Sequence, residues 1–168
     1  VGAECGVRGA GGVHHRRDGV CAAVLPAEQG GFLYSLDSDW NEYYVSGGTV
    51  GAGIVALAMG GQHQTEMAQA GGRWILQHPF TNYNRRERVD DRYHYSAYVC
   101  SQAMFQLGVD YWERFYPELQ EVLLENQNGD GSWDPEAMQD GNYGNAYTTA
   151  LAVLSLTPPY QLLPIYQR

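Results

Sequence analysis

Gln127-Asn128-Gly129-Asp130-Gly131-Ser132-Trp133 is the stretch whose reading decides the fold. It places a Gln, three residues, a Gly, one residue and a Trp after the helix-like run Pro117 to Asn126. The apolar-periodic segment Tyr143 to Leu156 follows it. In a loop between two helices, a Gln amide can satisfy backbone groups orphaned at helix ends. An indole in the same loop can pack on the neighbouring hairpin. The stretch therefore predicts helical hairpins joined by a structural loop.

Working outward, the chain repeats. Ile54-Val55-Ala56-Leu57-Ala58-Met59 aligns with Gln102-Ala103-Met104-Phe105-Gln106-Leu107, 48 positions later. That segment aligns with Leu151-Ala152-Val153-Leu154-Ser155-Leu156, 49 positions further on, and Tyr98 falls on Tyr147. Such a period suits one helical hairpin with its loops, and stacked hairpins bury a shared core. Each unit opens with a small, apolar helix: Thr49 to Met59, Tyr95 to Leu107 and Ala146 to Leu156. An amphipathic helix follows, over Thr65 to Gln77 and Pro117 to Asn126, with Thr65 as N-cap and Pro117 at the first helical position. Leu119, Val122 and Leu123 make an apolar stripe at helical spacing. Apolar helices are expected in an inner layer and amphipathic helices in an outer one.

Composition bounds the function. The chain has 168 residues, 44% apolar and 17% charged, enough for a globular domain with a sizeable core. Net charge is −9 and pI about 4.8, and all ten basic residues are Arg. An acidic chain without Lys is a poor partner for nucleic acid or anionic membranes. It also lacks the amine for a Schiff base or a P-loop. Cys5, Cys21 and Cys100 form no CxxC pair, and Cys100 reads as a core thiol. The uncharged run Val45 to Gly61 reads as a tightly packed helix rather than a membrane span, so no transmembrane segment is expected. Two regions are expected: an atypical Gly/Arg-rich segment at 1–26 and the repeat domain at 27–168. The first reads as a flexible head, a diverged helix or text foreign to the fold.

The motif at Gln127, Gly131 and Trp133 resembles the QW motif of the prenyltransferase/squalene-cyclase superfamily. A degenerate copy at Gly71-Gly72-Arg73-Trp74-Ile75 and a shortened one at Gln29-Gly30-Gly31-Phe32 extend the likeness. With Tyr111-Trp112 and Leu163-Pro164-Ile165-Tyr166, the stretch 27–168 is similar to a bacterial group of prenyltransferase and squalene-oxidase repeat proteins. The resemblance implies an all-α fold, an α/α toroid, here as a partial ring of helical hairpins about half the full size. A half-ring implies a fragment, a protein that self-associates through its open edge, or a genuine arc.

The resemblance also implies two chemistries. Prenyltransferases hold zinc with an Asp, a Cys two residues later and a distant His. Ser46 and Gly48 stand where the first two belong, leaving His94 without partners, so no metal is expected. Cyclases protonate their substrate with an Asp-x-Asp-Asp cluster. Asp37-Ser38-Asp39-Trp40 lacks the last acid and reads as a solvated turn. The calcium-like run from Asn126 has Ala137 where a bidentate Glu is needed, and Glu136 falls one place early. Arg85, Arg86 and Arg88 beside Asp90 and Asp91 read as a charged loop, and a glycosidase pair of Asp91 and Asp140 is the weakest reading.

The aromatic residues Trp40, Tyr43, Tyr44, Tyr93, His94, Tyr95, Tyr98, Tyr143 and Tyr147 cluster near the starts of the apolar helices. They are the candidate lining of a cavity for an isoprenoid or other apolar ligand, against the alternative of plain helix packing. The expected function is a non-catalytic binding or scaffold module without a cofactor. The alternative is part of an isoprenoid-processing enzyme whose catalytic residues lie in a further, N-terminal half.

Overall fold

In a computed structural model, residues 31–32, 45–84, 92–137 and 139–161 are described. The segment 1–26, the residues Trp40, Tyr43, Tyr44, Asp37, Asp39, Asp90 and Asp91, and the ending 163–166 lie outside them. The protein is all-α. Its helices are α1 (Gly47–Met59), α2 (Glu66–Gln77), α3 (Tyr93–Leu107), α4 (Val109–Glu125) and α5 (Gly144–Leu156). Short 3₁₀ turns span Gln139–Tyr143 and Pro158–Tyr160. No strand occurs among the described residues.

The three apolar helices form one layer, with α3 in the middle. Eleven of the 15 residues of α3 are buried, against seven of 13 in α1 and four of 13 in α5. α1 and α3 run parallel: Gly48 faces Tyr95, Gly51 faces Val99 and Cys100, and Met59 shares a groove with Gln102. The approach is as close as glycine permits. A Cβ on Gly51 would lie 2.8 Å from the Cys100 nitrogen and the Val99 carbonyl carbon. Cys100 Sγ donates to the Gly47 carbonyl at 3.1 Å, so the core thiol also ties the two helices. α5 joins on the other flank. There Ser101 Oγ donates to the Ser155 carbonyl and Gln102 Nε2 to the Leu154 carbonyl, the latter at 3.3 Å.

α2 and α4 cover one face of that layer. Gly71 sits on Ile54, and Gly72 sits against Leu107 and Tyr111. Tyr111 Oη donates to the Gln69 carbonyl at 3.1 Å, joining α4 to α2. Phe115, Leu119 and Leu123 are the buried stripe of α4. Ser46 and Thr49 form a reciprocal capping box on α1, and Thr65 caps α2 as expected.

One sequence expectation is corrected. The second amphipathic helix does not begin at Pro117. It begins at Val109, one residue after α3, because Gly108 with φ 108° makes the turn alone. Pro117 then lies inside α4, where it removes one hydrogen bond to Glu113. Both residues are exposed, so water can replace that bond. The stretch Gly71 to Ile75 is helical, in keeping with the helix expected over Thr65 to Gln77. It lies within α2, where its glycines admit neighbouring side chains and Trp74 stacks on His78 at 3.9 Å.

The loop at Gln127 to Trp133 does join two helices, but with the roles of its two residues shifted. Gln127 Nε2 donates to the Gly131 carbonyl at 2.9 Å, closing its own loop. Gly131 takes φ 85°, and Asp130 accepts from the Ser132 N–H and hydroxyl, which holds its carboxyl below the usual range. The indole meets the helix end: Trp133 Nε1 donates to the Leu123 carbonyl in the last turn of α4 at 2.7 Å. Trp133 is 2% exposed, and its backbone pairs with the Thr148 and Thr149 hydroxyls of α5. One residue thus bolts α4 to α5.

Gly51→Ala tests the α1–α3 contact. Overpacking against backbone costs about 1–3 kcal/mol, and better helix propensity returns about 1 kcal/mol. The urea midpoint of Gly51→Ala is expected below that of the parent. An unchanged or higher midpoint would contradict so close a contact.

Candidate functional site

Two places in the structure gather the residues singled out by sequence. The first is a polar clamp at the start of α3. Arg92, the residue before the helix, makes no side-chain cap. Glu136, 42 residues beyond His94, does that work. Its carboxylate accepts the His94 backbone N–H at 3.1 and 3.3 Å and pairs with His94 Nδ1. A carboxylate at a helix N-terminus also meets the positive end of the helix dipole.

Asn84, at φ 52°, grips both sides of Glu136. Its Nδ2 donates to the Pro135 carbonyl at 2.8 Å, and its Oδ1 accepts the Ala137 N–H at 2.9 Å. Tyr93 Oη donates to the Phe80 carbonyl at 2.9 Å, and Phe80 packs edge-on against Tyr93 and Phe115. Tyr83 packs edge-on against both Tyr93 and His94 at 5.5 Å. Burial, and then the nearby Asp134 and Glu136 carboxylates, push the Tyr83 phenol up to about 12.

His94 is 0% exposed, and its Nε2 has no hydrogen-bond partner. The ring is enclosed by protein. Its work is to lock the α4–α5 loop onto α3. Among the described residues no three His, Cys, Asp or Glu side chains converge as metal ligands.

The second place is a groove of about 250 Å³ on the layer's other face, away from α2. Ala52, Val55, Ala56 and Met59 of α1 line it with Tyr98, Val99 and Gln102 of α3. On α1 these positions oppose Ile54, Leu57 and Ala58, which are buried. Small residues keep the groove shallow and open. The phenol of Tyr98 is pushed up by burial and then by neighbouring Tyr95. α1, α3 and α5 carry no Asp, Glu, Lys or Arg. In contrast, α2 carries Glu66 and Arg73, while α4 carries Asp110, Glu113, Arg114, Glu118, Glu121 and Glu125. The exposed positions of the apolar layer are therefore apolar or neutral, including Ala52, Ala56, Met59, Tyr95, Ala150 and Val153.

The structure divides the expected aromatic residues. Tyr98 lies on the groove, and Tyr95, close to Gly48, is exposed one turn before it. Tyr93 and His94 are buried in the clamp instead. Tyr143 is exposed, and its ring lies 5.3 Å from that of half-buried Tyr147, at the start of α5. Sequence reasoning missed Glu136, Asn84 and Tyr83 as clamp residues and Gln102 as part of the groove. Glu136 carries no local signal, since its partners lie in another hairpin. Gln102 had one: it falls a helical turn after Tyr98.

No helix among the described residues is long and apolar enough to cross a membrane. α1 is about 20 Å long at the usual rise per residue. No protein-family model, curated protein or solved structure matches this chain.

Removing Glu136 leaves the His94 N–H groups without their buried partner. Glu136→Ala is expected to cost about 3 kcal/mol in urea unfolding, and a loss below about 0.5 kcal/mol would show the clamp to be slack. The Tyr83 phenol is raised in the folded state, so its contribution is complete below about pH 10, the unfolded value. It is lost as pH rises through about 12. Tyr83→Phe is expected to flatten, without abolishing, the alkaline fall in stability, because Tyr98 and Tyr116 are also raised by burial. An alkaline limb of unchanged steepness in Tyr83→Phe would contradict that assignment.

Proposed function

We propose that this chain is a non-catalytic, terpenoid-cyclase/prenyltransferase-like module, an arc of an α/α toroid that binds an apolar ligand of isoprenoid type. In this reading α1, α3 and α5 are the inner wall of the arc, and α2 and α4 are its outer wall. One observation carries it: the uncharged inner layer leaves its far face exposed, with the groove between α1 and α3 upon it. An exposed apolar surface rimmed by polar residues marks a binding site more often than idle surface. The alternation of apolar and amphipathic helices, with Trp133 bolting one hairpin to the next, supports the toroid. Self-association through the open edge of the arc belongs to the same reading.

Geraniol tests the proposal. Saturable calorimetric binding is expected for the parent protein. Ala56→Glu, which sets a carboxylate in the groove, is expected to reduce affinity at least about tenfold without altering the urea midpoint, because desolvating a charge costs more than 1.4 kcal/mol. No binding to the parent, or equal binding to Ala56→Glu, would overturn the reading. Squalene and farnesyl diphosphate are expected to be recovered unchanged after incubation. Turnover of either would favour the alternative of an isoprenoid-processing enzyme.

A further inference from the structure

The groove is apolar but for one side chain whose bonding is incomplete. Gln102 is 3% exposed. Its Nε2 has a structural task, donating to the Leu154 carbonyl of α5 at 3.3 Å, and that bond fixes which end of the amide is which. Its Oε1 is buried and has no hydrogen-bond partner. A buried acceptor left unpaired costs about 1–3 kcal/mol. Gln102 also lines the groove, beside Tyr98 and Val99 and across from Ala52, Val55, Ala56 and Met59.

We infer that the groove takes a small neutral molecule with an alkyl or alkenyl body and one O–H donor, the donor pairing with Gln102 Oε1. This deepens the apolar-ligand reading above and rests on it. Three observations set the chemistry. The walls are hydrocarbon apart from Tyr98 and Gln102, so the body is apolar. The groove contains no charged side chain, so an anionic head such as a diphosphate would be desolvated without compensation. The unpaired atom is an acceptor, so the ligand supplies a hydrogen, and an ether or a ketone does not.

Volume sets the size. A dry 150 Å³ cavity holds benzene, roughly 25 Å³ per carbon. The groove's 250 Å³ then suits about ten non-hydrogen atoms, a medium-chain alcohol rather than a long polyprenyl chain. Oε1 has almost no solvent contact, so pairing with it requires the Gln102 side chain or a groove-lining side chain to shift. Met59, unbranched and 72% exposed, is the lining side chain best able to yield.

The test is a pair of isomers, 1-nonanol and octyl methyl ether, which share a formula and differ in the donor. Calorimetric titration of the parent protein is expected to give about three- to tenfold tighter binding of the alcohol. Gln102→Met, close in volume, is expected to erase that preference while still binding both. Equal affinity of the two isomers for the parent would overturn the role of Gln102 and leave the apolar-ligand reading standing. A preference that persists in Gln102→Met would overturn it as well. Binding of neither isomer, in a protein that also fails to bind geraniol, would overturn both. The comparison on the parent protein decides the matter even where Gln102→Met fails to fold.

Discussion

The rest of the structure depends on how closely α1 approaches α3. Gly47, Gly48 and Gly51 bring the backbone of α1 against Tyr95, Val99 and Cys100, and the Cys100 thiol bonds the Gly47 carbonyl. The two helices run in the same direction, and a shallow trough lies between them on the face away from α2. Val99, Tyr98 and Gln102 line it from α3, and Ala52, Val55, Ala56 and Met59 line it from α1. Larger residues on α1 would push the helices apart and fill the groove. Glycines permit the packing, and the alanines beside them on α1, Ala52 and Ala56, leave the groove shallow.

Charge follows the same division. The amphipathic helices α2 and α4 carry the charged residues of the described helices, and α1, α3 and α5 carry none. In the described part of the molecule, the one buried carboxylate is Glu136. It is satisfied by the start of α3 and by the ring of His94, with Asn84 holding the loop on either side. A buried hydrogen-bonded group of this kind fixes register, because a displaced partner would be left unsatisfied. The clamp fixes where the α4–α5 loop crosses α3, and the Trp133 indole fixes where it leaves α4. Between them they set the position of α5 on the apolar layer. That position in turn gives Gln102 its Leu154 partner and leaves its oxygen over.

Much of the fold was legible because it rests on local signals. The recurrence of 54–59 at 102–107 and 151–156 marks three apolar helices, and Thr65 to Gln77 marks an amphipathic helix between the first two. Thr65 capped its helix as its type and place suggest. Pro117 misled because proline favours a helix start, whereas here Gly108 turned the chain in one residue and the exposed side of α4 absorbed the lost bond. Gly71 and Gly72 fall within the helix expected over Thr65 to Gln77, where they admit Ile54 and Leu107. The site was less legible. Tyr98 stood out as an aromatic on an apolar helix. Glu136 belongs to a pairing across 42 residues that no period announces, and the surplus acceptor of Gln102 exists only once α5 has taken its other end.

The central claim is that one exposed face of this protein is apolar by construction while another, equally exposed, is charged. Dissolved dioxygen, an apolar paramagnet, reports that difference directly through nuclear relaxation. Ala52, Ala56 and Ala150 are exposed on the apolar helices, and Glu118 and Glu121 are exposed on α4. The account predicts that dioxygen enhances relaxation at the three alanines well beyond that at the two glutamates. Equal enhancement at both sets would contradict an open apolar face and the binding role drawn from it.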